Sequence, residues 1–268
     1  MFITIYLLIG ACSGLLAGLL GLGGGIVVVP ALAAAFVHLN VVDDAHVMQM
    51  AVGTSLATIV ITFLSSLRAH LKRNSVRWDI FKKILPGLLC GVVAGALVAQ
   101  HVPSTWLKVF FSAFLIFIAV RLLRGDLAEA TPEFPSQLRV FLSTTFIGLM
   151  AGVLGMGGGV LLIPFLIRFQ VNMREATGTS VACGVFMGLL ASCCFMWLGR
   201  SALLHVPWST GFVYWPALLG VGLSSIFFAP LGTAIAYRLP IPLLKRILAI
   251  FLLVVAMDMA LPVLLRVL

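Results

Sequence analysis

The sequence predicts an all-α integral membrane protein, a polytopic helical bundle of about 8–10 membrane segments. Three observations carry that prediction: long unbroken apolar runs, very little charge, and an internal duplication. Of 268 residues, 62% are hydrophobic and 9% charged, and the mean hydropathy is +1.20; soluble domains average about 45–50% apolar and about 25% charged. Eight acidic and seventeen basic residues cannot coat a water-soluble domain of this length, which excludes a cytosolic enzyme or a secreted disulfide scaffold. Disorder is excluded by the same apolar content. The runs are continuous rather than alternating, so they read as helices and not as an outer-membrane barrel.

The elements follow in order from apolar runs and their breakers. Segment 2–20 resembles a signal peptide in length, but it has no basic n-region and its pattern returns at 138–154, so it is structure. The run GLGGG and the short segment 26–39, with Pro30, come next. Segment 46–67 carries AVGTS; segments 80–100 and 103–123 complete a first repeat, 1–123. A linker, 124–137, expected on the cytoplasmic side, leads to the second repeat, 138–268. Its segments are 138–154, 160–171 after GMGGG, 175–199 with ATGTS, 209–237 and 241–265. The whole, 1–268, is expected to form a single transmembrane domain.

The duplication rests on residues 14–32, GLLAGLLGLGGGIVVVPAL, which recur at 148–166 as GLMAGVLGMGGGVLLIPFL, a shift of 134 with eleven of nineteen positions identical. AVGTS at 51–55 and ATGTS at 176–180 are shifted by 125 instead, so the first copy holds a longer loop around Asp43 and Asp44. Weaker echoes pair Trp78 with Trp208, Pro86 with Pro216, Pro103 with Pro240 and Lys108 with Lys245. Segments 26–39 and 160–171 are too short to span, so each glycine-rich turn joins two arms of a broken or re-entrant hairpin.

The net charge of +9 is orientation information rather than a nucleic-acid footprint, because the basic residues sit at the ends of apolar runs. With the loop of Arg68, Lys72, Arg73, Arg77, Lys82 and Lys83 in the cytoplasm, five segments per copy and a second copy turned over place fourteen basic residues inside and three outside. Four spans per copy, with parallel copies, give eleven against six. The inverted arrangement is preferred, with both termini outside.

Inverted repeats bring broken helices to the membrane midplane, where their ends bind substrate. The amides of Gly23, Gly24, Gly25, Gly157, Gly158 and Gly159 can approach a ligand without side-chain obstruction, and a helix starting after each turn adds a positive end that favours an anion. Thr54, Ser55, Thr179 and Ser180 offer hydroxyls that can donate to an oxyanion. Against this stand two plainer roles: glycine as a close-packing residue, and Ser or Thr bonding back to helical carbonyls. Asp258 and Glu175 are the candidates for carrying a proton. Five cysteines without a CxxC pair, and histidines without HExxH, point to no metal and no cofactor. Trp78, Trp106, Trp208 and Trp215 read as interfacial anchors.

A duplicated G-x-G-G-G-x4-P element, each copy followed by Gly-Thr-Ser, in a chain of this length resembles the sulfite exporter TauE/SafE (TSUP) family of membrane transporters. The resemblance covers nearly the whole chain. It implies transport of small sulfur-containing anions such as sulfite, sulfonates, sulfoacetate or thiosulfate, coupled to protons, across a prokaryotic inner membrane. The partners expected are thus a small anionic substrate, protons and the lipid bilayer. The competing reading is a membrane-embedded thiol- or metal-dependent enzyme or assembly factor using Cys193 and Cys194.

Overall fold

The computed structural model describes residues 2–20, 24–124, 136–202, 206–236 and 241–267. Ten helices follow the expected segments: α1 (Phe2–Leu20), α2 (Gly25–His38), α3 (Val47–Lys72), α4 (Trp78–His101), α5 (Ser104–Arg124), α6 (Gln137–Leu154), α7 (Gly159–Arg168), α8 (Met173–Leu198), α9 (Trp215–Ala236) and α10 (Ile241–Val267). Gly23 and linker residues 125–135 lie outside the described residues. Among the described residues, α3, α4, α5, α6, α8 and α9 are long and apolar enough to cross a bilayer. With 14 and 10 residues, α2 and α7 measure about 21 and 15 Å, short of a hydrocarbon core of about 30 Å.

Two differences from the sequence reading have clear causes. The segment expected at 209–237 opens with a small hairpin, β1 (Ser209–Thr210) and β2 (Val213–Tyr214), pairing Ser209 with Tyr214 and Thr210 with Val213. Gly211 turns it at φ +57, where a side chain would strain the backbone. As a result the helix of this segment begins at Trp215, and Trp208 lies ahead of the hairpin, whereas Trp78 begins α4. In addition, α3 runs beyond its apolar stretch to Lys72, because long basic side chains can lie along the helix and reach the polar surface.

The packing is organised by glycine. Helices α1 and α9 run parallel in close contact: Gly10 meets Val221 and Ser224, Gly14 meets Ser225, and Gly232 meets Leu15. Helices α4 and α6 do the same, with Gly87 on Thr144, Gly91 on Thr145, and Gly95 on Leu149 and Gly152. A Cβ at any of these glycines would press into the partner's backbone or hydroxyl, so the small residues set the interhelical distance.

Helices α3 and α8 cross at the centre, and they run antiparallel. Gly53 lies against Phe195, Gly188 against Leu56 and Val60, and Gly184 against Phe63. From Val47 to Ile59 every residue of α3 is buried. Helices α5 and α10 pair on one side of the bundle. Exposed apolar stripes at helical spacing complete the outside: Leu219, Leu223, Phe227 and Leu231 on α9, and Ile250, Val254, Met257 and Leu261 on α10. They are the surfaces that a bilayer covers.

Candidate functional site

The second glycine-rich turn is built from the end of α6. Gly155 adopts φ +68, and the Met156 amide bonds back to Ala151 O at 3.1 Å, a left-handed C-terminal cap. Gly158, at φ +75, then begins α7, and its carbonyl accepts from Leu161 and Leu162. Only glycine takes such angles at little cost, so the run GMGGG is what allows the chain to break and restart within a few residues. On the other side α2 starts from Gly24, whose carbonyl accepts from Val27 and Val28 at 3.0 and 2.9 Å. Both helices continue through a proline, Pro30 and Pro164. The first amides of each have no carbonyl behind them within the helix.

The two turns meet. A Cβ on Gly25 would stand 2.8 Å from Gly155 O and 3.0 Å from the Met156 backbone. The Gly-Thr-Ser elements lie alongside, in the central crossing. Ser55 Oγ donates to Gly155 O at 2.9 Å and so ties α3 to the second turn. Its sequence counterpart, Ser180, is 1% exposed, and its Oγ has no hydrogen-bond partner.

The threonines have a different task. Thr54 Oγ1 accepts the Tyr214 amide at 3.0 Å, and Thr179 Oγ1 accepts the Arg77 amide at 3.0 Å. Tyr214 immediately precedes α9 and Arg77 immediately precedes α4. Gly53 and Gly178, just before the threonines, make room for the carbonyls of Phe212 and Ser75. Each motif therefore fixes where a neighbouring helix begins: its glycine admits the preceding turn and its threonine binds it.

The sequence reading did not single out Phe63. This ring, 5% exposed, lies on Gly184 and would approach a Cβ on Gly157 to 2.6 Å. Ile59, Phe63, Val181 and Val185 form one buried cluster. At the 125-residue shift of the Gly-Thr-Ser motifs, Phe63 corresponds to Gly188, so aligning the copies beyond the motif would have exposed the difference.

The two proton candidates are not at the crossing. Glu175 sits in the first turn of α8, where Arg77 Nη1 approaches its Oε2 at 3.4 Å; Arg77 also binds Asp79 at 2.7 and 2.9 Å. Bonding to Asp79 raises the Arg77 pKa above its ordinary value. Asp258 is exposed on α10 beside the apolar stripe. Cys193 is exposed and Cys194 half-buried on α8. Among the described residues, no three His, Cys, Asp or Glu side chains gather as a metal site would require.

Residues 6–259 match the family described as Sulfite exporter TauE/SafE. A probable membrane transporter protein of Haemophilus influenzae is 33% identical over 263 residues, covering 96% of this chain and 98% of that one. Another from Methanocaldococcus jannaschii is 25% identical, covering 89% of this chain and 88% of its own. A third, from Bacillus subtilis, is 28% identical over 79% of this chain and 86% of its own. No solved structure matches.

Proposed function

The chain belongs to the sulfite exporter TauE/SafE family, and we propose on that premise that it is a secondary transporter of small anions, most of them sulfur-containing, coupled to protons in a prokaryotic cytoplasmic membrane. The relatives named above are prokaryotic and are named as probable membrane transporters. One observation carries the reading: the glycine-led start of α2 meets the second glycine-rich turn beside the antiparallel crossing of α3 and α8, where the Ser55 and Ser180 hydroxyls lie. Such a place binds an anion without burying a side-chain charge.

We propose further that the halves are inverted copies that rock against each other around this site. The packing supports it. Under the shift of 134 residues Gly10 corresponds to Thr144 and Gly14 to Gly148, and under a shift of 137 Gly87 corresponds to Ser224 and Leu88 to Ser225. The contact of Gly10 with Ser224 is then the counterpart of Thr144 with Gly87, and that of Gly14 with Ser225 the counterpart of Gly148 with Leu88. The bonds Thr54–Tyr214 and Thr179–Arg77 exchange in the same way. Antiparallel α3 and α8 suit copies of opposite orientation, and the Arg77–Glu175 pair sets the start of α8 on the same face as the α3–α4 turn.

In vesicles holding the purified full chain, an imposed pH gradient should drive uptake of at least one of sulfite, a sulfonate or thiosulfate. Gly158→Leu, at φ +75 and against Met187, should abolish that flux while leaving the protein in the membrane. A correctly inserted wild-type chain that carries none of these anions would overturn the reading.

A further inference from the structure

Resting on that reading, we propose that the site takes a singly charged oxyanion and that Ser180, rather than its counterpart Ser55, supplies the hydroxyl that meets it. Doubly charged anions are then poor substrates.

The charge argument starts from the sequence. No Asp, Glu, Lys or Arg occurs in residues 1–42, 45–67, 84–107, 140–167, 176–199 or 201–237. Those stretches supply both glycine-rich turns and the whole central crossing. The charged group nearest Ser180 is Arg77, whose amide bonds Thr179 and whose exposed guanidinium is paired with Asp79 and Glu175 at the start of α8. The other titratable groups on the packed elements include Cys183, one turn from Ser180, with Cys193 and Cys194 further along α8; Tyr6 and Tyr214 beside α2, with His38 at its end; and His46 and His70 near the two ends of α3. None places an unpaired charge in the crossing. A bound anion is therefore held by hydroxyls and backbone amides alone. Because the self-energy of an ion rises with the square of its charge, a dianion loses about four times the hydration energy of a monoanion on the same transfer, with no cation to offset it.

The choice of Ser180 comes from the way the copies differ. Ser55 Oγ already donates its one proton, to Gly155 O. Ser180 Oγ has none of its bonding capacity used, and at 1% exposure it has no water-facing side. A buried hydroxyl left unpaired is costly, and a bound oxyanion relieves that cost.

Transport into vesicles by the full chain tests both parts. Methanesulfonate, with one charge at any working pH, should be carried at least about tenfold faster than thiosulfate or sulfate at equal concentration, and sulfite uptake should fall as its monoanion gives way to the dianion. Ser180→Ala should raise the KM for methanesulfonate at least about tenfold, Ser180→Thr should keep it close to wild type, and the lipid-facing control Leu223→Val should leave KM unchanged. Thiosulfate carried as well as methanesulfonate, or an unchanged KM in Ser180→Ala, overturns this proposal while leaving the transporter reading intact. Failure of a folded wild-type chain to carry any of these anions overturns both.

Discussion

At the scale of single residues, the Gly-Thr-Ser motifs show how one short pattern serves two ends. The sequence makes Thr54, Ser55, Thr179 and Ser180 visible as the scarce polar groups of central helices, and this much was legible. What it could not reveal is the division of labour, because the amides of Tyr214 and Arg77 reach Thr54 and Thr179 across 160 and 102 residues of chain. Removing such an acceptor leaves a partly buried amide unpaired. Thr179→Val, nearly isosteric, should therefore lower stability by about 1–3 kcal/mol, and Thr179→Ser should recover most of it; unfolding in detergent measures both. Phe63 was illegible for another reason. A phenylalanine in an apolar run is unremarkable until its ring is seen lying on Gly184.

Among elements, the ten segments read from apolar runs correspond to ten helices, and the glycine-rich breaks fall where expected. The β1–β2 hairpin escaped because Phe212, Val213 and Tyr214 are as apolar as the helix that follows, so periodicity could not separate them. The glycines of α4 were visible, but not their partner helix, which depends on the tertiary fold. Their contacts predict two matched defects. Gly91→Val should force α4 from Thr145 and Leu149 of α6, and Gly14→Val should force α1 from Ser225 of α9. Each should cost about 1–3 kcal/mol or more and lower the yield of folded protein in detergent, and their effects should add, since the sites share no partner. A surface control such as Leu223→Val should leave yield unchanged.

For the molecule as a whole, the charge pattern predicts an orientation: the inverted arrangement puts the α3–α4 and α7–α8 turns, with their basic residues, on the cytoplasmic side and the turn after α8 outside. In a cysteine-free background, a cysteine at Asn172 should resist a membrane-impermeant thiol reagent added outside whole cells, and one at Ser201 should react. Labelling of both from outside, or the reverse pattern, would contradict the inverted arrangement.

The pairing of Phe63 with Gly188 has an energetic consequence for such a machine. Were the two copies identical, exchanging their roles would turn an inward-open protein into an outward-open one of equal free energy, and the empty carrier would divide its time evenly. Under the proposed rocking, each position where the copies diverge would tilt that balance, Phe63 against Gly188 among them. The resting preference of the empty protein would then be set by the differences between the copies rather than by what they share.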